Sequence, residues 1–381
     1  MDFSYTETQT MLRDTIARYL SDRYDHETRM KIVRSEAGWS ADTWKAFAEE
    51  LGILGAPFAE EQGGLGGGAV ENLIVMEELG SRLVVEPYLS TVVIGGGLLK
   101  AAGGAAADDL IGRIIGGDVI TAFAYAEPQG RYDWADLKTT ARKDGTGYVL
   151  NGHKAVVRDA PHATHLIVSA RTGGGQRDRE GVSLFLVEKG AKGVSTRDYP
   201  TVDGGRASEV YFENASVPAD ALLGGEGAGL PLVERVLDEA TVAICAEAGG
   251  VMRQMHAQTI DYAKQRKQFG RAIADFQVLQ HRMVDMFMEV EQSVSLTLMA
   301  TLKLDEGDAE RMKAVSAAKS RVGKACKFVG QSAIQIHGGM GMTDELAVGH
   351  YFKRATMIES QFGSIDHHLA RYERLSIDEA A

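Results

Sequence analysis

The chain has 381 residues, enough for two or three domains at roughly 150 residues each. It carries 41 basic and 53 acidic side chains, a net charge of -12, which disfavours nucleic acid as a main partner. Hydrophobic residues at 44% and charged residues at 25% exclude disorder as the dominant state.

From Thr8 to Tyr24, Met11, Leu12, Ile16 and Leu20 recur at helical spacing. Ser40 is placed to cap a second helix, with Trp44, Phe47 and Leu51 on its apolar face. A glycine-rich loop over Glu60 to Gly68 precedes a helix over Val70 to Leu79, which Gly80 is expected to stop. From about 119 the pattern changes to short runs rich in Val, Ile, Tyr and Phe. Tyr148-Val149-Leu150 followed by Asn151-Gly152 signals a hairpin. Leu166 to Ser169, Ser183 to Val187 and Glu209 to Phe212 read as further strands of a compact antiparallel barrel or sandwich. Long helical stretches return over Leu230 to Gln265, Phe276 to Leu304 and Asp308 to His337, lengths that suit a bundle. The expected organisation is α+β. A helical domain spans 1–118, a β-barrel domain 119–227 and a four-helix bundle 228–381. With no βαβ alternation, a doubly wound nucleotide-binding sheet is disfavoured.

The N-terminal stretch has early acids and no apolar core of leader length, and no apolar run reaches the roughly 18 residues of a membrane span. Two cysteines, Cys245 and Cys326, fit a reducing compartment, and a cytoplasmic location is expected. Cys245, among apolar residues, reads as a buried inert thiol. No histidine or cysteine spacing resembles a metal site, and no metal is expected; His367-His368 is adjacent, and adjacent helical side chains point apart. Glycines cluster at 63–68, 224–227 and 338–341, where backbone N–H groups could approach an anion. Each cluster alone reads as a tight connection.

Four stretches together resemble the acyl-CoA dehydrogenase family over nearly the whole chain. They are LGILGAPFAEEQGGLGGGAVENLIVMEELG (51 to 80), AEPQGRYD (126 to 133), YAKQRKQFGRAIADFQ (262 to 277) and QIHGGMGMTDELAVGHYFKRA (335 to 355). The last three resemble the family's TEPxAGSD turn, RxxFG segment and QxxGGxG segment. The resemblance implies a helical, β-barrel, helical fold assembled as a dimer of dimers. It implies FAD as cofactor, an acyl-CoA substrate desaturated at Cα–Cβ, and an electron-transfer flavoprotein as acceptor. In this family FAD lies between two subunits, one holding the flavin ring and the acyl thioester, the other the ADP end.

The resemblance implies an intact ADP-holding half. Arg266 is expected on the pyrophosphate, Gln268 and Phe269 beside it, and Gln335, Gly338 and Gly339 against the ADP moiety. Phe276 and Gln280 are secondary candidates. The flavin-holding half departs from the family. The threonine and serine of the TEPxAGSD turn are Ala126 and Tyr132, and the WITN segment reads Val156-Val157-Arg158-Asp159. The usual catalytic glutamate falls on Phe362, followed by the expected Gly363, and the alternative base position falls on Ala240, followed by Thr241. The catalytic residue is therefore left unassigned. Glu239, Glu359 and Asp366 are neighbouring acids, the last two able to share Phe362's face only if that stretch is helical. Two expectations stand. One is a non-catalytic subunit similar to the small subunit of heteromeric acyl-CoA dehydrogenases such as pimeloyl-CoA dehydrogenase. It would supply the ADP clasp to a homologous larger chain in a heterotetramer. The other is a self-sufficient homotetramer with a base at an unusual position.

Overall fold

A computed structural model describes residues 4–380. The helices, in chain order, are α1 (Glu7–Arg23), α2 (His26–Arg34), α3 (Ala41–Glu49), α4 (Ala69–Ser81), α5 (Gly97–Ala102), α6 (Ala105–Ile115), α7 (Gly229–Gln265), α8 (Gln277–Leu302), α9 (Asp308–His337), α10 (Ala347–Ser360) and α11 (Ile365–Ala380). A buried π-helical stretch, Leu89–Gly96, runs directly into α5. The strands are β1 (Thr121–Ala124), β2 (Thr140–Asp144), β3 (Gly147–Arg158), β4 (His165–Arg171), β5 (Val182–Glu188), β6 (Val194–Pro200), β7 (Arg206–Pro218), β8 (Leu222–Leu223) and the short pair β9 (Lys267–Gln268) and β10 (Arg271–Ala272).

The chain divides into two compact units. One comprises residues 1–34, 69–84 and 241–381, and the other residues 35–68 and 85–240. In the first, α8, α10 and α11 pack on α9, and α1 and α8 pack on α4. Val242, Ala300, Leu304, Ala314, Val315 and Ala318 form one buried apolar cluster there. Gly80 does not stop α4 but lies inside it. A Cβ on Gly80 would overlap the Glu247 carbonyl oxygen, and one on Gly250 would overlap that of Glu77, so α4 and α7 meet backbone to backbone. The glycine is there for a close crossing, which its lack of a side chain permits. Arg253 and Glu77 add an ion pair across that crossing. Glu247 is in turn gripped by Arg354 of α10, at 2.5 and 2.6 Å, with both side chains buried.

In the second unit Ser40 caps α3, accepting from the Thr43 N–H at 3.1 Å as its position predicts. One eight-stranded sheet follows the path β6-β7-β3-β2-β4-β5-β8, with β1 parallel to β4. Its two end strands are not paired to each other. The Asn151-Gly152 hairpin is absent. β3 runs straight through it, and the register against β7 shifts between Leu150 and Gly152. The reversal lies earlier, where Asp144 pairs with Gly147 across Gly145, which has φ 61°. Gly152 instead lets the Thr139 side chain press against the strand backbone, a place where any Cβ would overlap it. An Asn-Gly pair inside a long strand thus marks a bulge.

Candidate cofactor groove

At one end of the helical unit, α7 stops at Gln265 and the chain makes the tight β9–β10 hairpin before α8. Phe269 and Gly270 form its tip with φ 53° and 82°. Two positive values in succession are the primed turn that a two-residue hairpin needs. The reversal is fastened by the Ile273 N–H donating to the Arg266 carbonyl at 2.8 Å. Beside it α9 ends at His337, where Gly338 leaves the helix with φ 60°. Between these two chain ends lies an open groove of about 690 Å³. All six residues expected at the ADP end, Arg266, Gln268, Phe269, Gln335, Gly338 and Gly339, line it. Phe276 lines it as well. Gln280 does not, because its amide is spent on the Ala274 carbonyl at 2.9 Å.

The groove suits an anionic, planar ligand. Arg266 is exposed and forms no ion pair among the described residues, so its guanidinium fork is available to a phosphate. The first turn of α8 lines one wall through Val278 and Leu279, and its N-cap, Phe276, provides no side-chain hydrogen bond. A long helix that begins without a side-chain cap favours negative charge there. A Cβ on Gly338 or Gly339 would meet nothing within 4 Å, so that backbone is open to a close-lying ligand. Phe269 is 92% exposed at the hairpin tip and stands edge-on to Phe276 at 6.1 Å. Arg271 lies over the other ring, 4.1 Å from the Phe276 centroid. The residue-by-residue reading missed Tyr262, Ile273 and His337 of this lining. All three sit inside the two quoted motif stretches.

The positions expected along the flavin ring carry other side chains. In the β unit, Tyr132 stands edge-on to Trp134 at 6.5 Å, and Trp134 edge-on to Tyr125 at 5.2 Å. Arg158 pairs with Asp203 at 3.3 Å. Val156 is exposed with φ 52°, its N–H donating to Glu209 at 3.3 Å. A buried ion pair lies in the same unit. Lys154 Nζ, fully buried, donates to Glu127 Oε1 at 2.8 Å, and Glu127 accepts from the Lys138 and Thr139 N–H groups. Burial, the largest single influence, would raise the Glu127 carboxyl, but the Lys154 charge together with the hydrogen bonds from Lys154, Gln129 and Thr139 outweighs it and holds the group at about 2.

Phe362 is buried in the turn between α10 and α11, with φ 58°. That stretch is not helical, so Glu359 and Asp366 do not share its face. Glu359 instead accepts from the Ile365 N–H at 3.4 Å and faces Lys327 at 3.7 Å, while Asp366 is exposed in the first turn of α11. Glu239 pairs with Arg235 one helical turn away at 2.8 Å, and Ala240 is fully buried. Burial pushes both the Cys245 and the Cys326 thiol up to about 12, which leaves them protonated and inert. No helix among the described residues is long and apolar enough to cross a membrane.

The chain matches three family models: acyl-CoA dehydrogenase N-terminal domain over 6–107, middle domain over 122–215 and C-terminal domain over 227–374. It is 29% identical over 368 residues to the probable acyl-CoA dehydrogenase YngJ of Bacillus subtilis, covering 94% of this chain and 95% of that one. Among solved structures it is similar to the ChsE4-ChsE5 complex from Mycobacterium tuberculosis, with TM-score 0.90, 26% identity and 99% of each chain covered. It is likewise similar to the FAD complex of PigA, with TM-score 0.91, 26% identity and 100% of each chain covered. The three domain models together span most of the chain, and the chain belongs to the acyl-CoA dehydrogenase family of FAD-dependent oxidoreductases.

Proposed function

We propose that this chain is the ADP-clasp subunit of a heteromeric acyl-CoA dehydrogenase, working beside a homologous larger chain in a heterotetramer. One observation carries the reading. The α10–α11 turn is kept, with Gly363 in place, but the side chain at the expected base is the buried Phe362. A phenylalanine takes no proton; of the neighbouring acids, Glu359 faces Lys327, Glu239 pairs with Arg235 and Asp366 is exposed. The intact groove at the ends of α7 and α9, with an unpaired Arg266, supports the complementary role. The similarity to a ChsE4-ChsE5 complex, named for two chains, agrees with such an assembly.

On this reading bound FAD would supply the acceptor for the β-hydride of an acyl-CoA, with an electron-transfer flavoprotein as the onward acceptor. The present chain performs no proton transfer. Arg266 would neutralise the pyrophosphate, the first turn of α8 would favour the same negative charge, and Gly338 and Gly339 would let the backbone lie against the ligand. The larger chain supplies the carboxylate and the ring pocket.

Arg266→Ala tests the clasp. In the enzyme assembled with its companion chain, losing a hydrogen bond to a charged group is expected to weaken FAD retention by about ten- to a hundredfold. The variant chain should keep its wild-type unfolding midpoint, because Arg266 is exposed and unpaired. Flavin content that survives dialysis at the wild-type level contradicts the assignment.

A further inference from the structure

Within the groove lies a polar group that the phosphate-binding features leave unused. His337 is the last residue of α9 and is only 5% exposed. Its Nδ1 lies 2.8 Å from the Ala333 carbonyl oxygen. A carbonyl only accepts, so Nδ1 carries the proton. Burial keeps the imidazole below its ordinary pKa, so the ring is neutral at pH 7 and Nε2 presents a lone pair. The ring is also fixed in place. Tyr262 stacks on it at 4.3 Å with a 26° interplanar angle, and the Tyr262 hydroxyl donates to the His337 carbonyl at 3.3 Å. No described residue donates to Nε2. His337 lines the groove, and with Nδ1 engaged on the helix, Nε2 is the ring nitrogen left for a ligand.

We propose that His337 is a specificity-determining residue of this groove, whose Nε2 accepts a hydrogen bond from an N–H or O–H group of the adenosine half of FAD. The inference rests on the reading of the groove as an ADP site. A neutral, oriented acceptor selects a donor and disfavours a phosphate oxygen, which has only lone pairs to offer. The phosphates therefore belong beside Arg266 and the start of α8, and the nucleoside beside His337. Two groups of adenosine supply such a donor: the 6-amino group of adenine and the ribose hydroxyls.

The test is calorimetric titration of the enzyme assembled with its companion chain, freed of flavin by dialysis, with ADP, inosine diphosphate and 2′,3′-dideoxy-ADP. It is repeated with His337→Phe, which keeps a ring against Tyr262 but has no Nε2. Wild type is expected to prefer ADP over one analogue by about three- to tenfold, and the variant to lose that preference. Preference over the inosine compound identifies the amino group; preference over the dideoxy compound identifies a ribose hydroxyl. A wild-type preference below about twofold over both analogues overturns the inference whatever the variant does. Equal ratios in wild type and variant overturn it as well. Failure of wild type to bind ADP at all overturns the ADP-site reading itself, and the inference with it.

Discussion

Lys154 and Glu127 form a buried pair in which every charge is answered. The ammonium also donates to the Tyr125 carbonyl and to Ser169 Oγ, at 3.3 and 3.2 Å. The carboxylate takes two backbone N–H groups besides the ammonium. Removing one partner strands the other in a dry site. Lys154→Met is therefore expected to destabilise the chain by about 3–5 kcal/mol, read from urea unfolding at pH 7. A loss under about 1 kcal/mol would show that water reaches Glu127 after the substitution. The pair was legible only in part. Glu127 stood in the quoted turn, but its partner lies 27 positions away on β3. Long-range pairing of that kind has no local periodicity to announce it.

The turn between α10 and α11 shows what an element owes to its neighbours. Its two residues with positive φ, Phe362 and Gly363, are held from outside. Lys319 of α9 donates to the Glu359 and Gly363 carbonyls at 2.9 and 2.6 Å, and His368 Nε2 donates to the Phe362 carbonyl at 3.2 Å. Gly363 and Gly270 both have positive φ, yet they differ in surroundings. A Cβ on Gly270 meets open space, whereas one on Gly363 would lie 2.5 Å from His368 Nε2. Gly270→Ala is expected to cost about 1–2 kcal/mol from backbone strain alone. Gly363→Ala should cost about 1–3 kcal/mol more through overpacking. Equal unfolding midpoints for the two variants would contradict the packing described for this turn.

The same turn carries a pH dependence. Burial, with Lys319 close by, pushes the His368 imidazole down to about 2, and burial pushes His367 down to about 4. The folded state thus favours neutral rings, while the unfolded chain protonates near 6.5. Stability is full above pH 6.5 and is lost as the pH falls through the window down to about 2. For His368 the slope is about 1.4 kcal/mol per pH unit. Urea midpoints taken between pH 7 and pH 5 should fall more steeply for wild type than for His368→Gln. Parallel pH profiles would contradict the burial of His368. Neither feature was legible in the adjacent pair His367-His368, where the reading stopped at excluding a metal site. Gly80 and Asn151-Gly152 make the related point for local signals. The glycines were read as a stop and a turn, and both serve close approach instead, because a residue's backbone freedom does not say what it is needed for.

For the whole molecule, the long helices were the most legible part, since three periodic stretches match α7, α8 and α9 to within two residues at each end. The groove was legible through motif resemblance, because most of its residues sit in two short stretches, 262–277 and 335–355, at the ends of α7 and α9. His337 was missed as a site residue although it lies in one of those stretches. Its role depends on the Ala333 carbonyl and the Tyr262 ring, and only the folded chain brings that ring to it. The missing base was read from two positions, Phe362 and Ala240, and the structure adds that Glu359 and Asp366 do not share Phe362's face and that Glu239 pairs with Arg235. The central claim is thus an uneven division of labour, with a complete ADP-side groove and no base in one chain.

Flavin counting tests that claim most directly. The chain is purified alone and again after co-expression with its companion chain, and bound FAD is measured per chain by absorbance alongside the oligomeric mass. The account predicts a folded chain with little flavin and no acyl-CoA oxidation when alone, and a yellow, active hetero-oligomer with the companion. One FAD per chain in the isolated protein, bleached on adding an acyl-CoA, would contradict it.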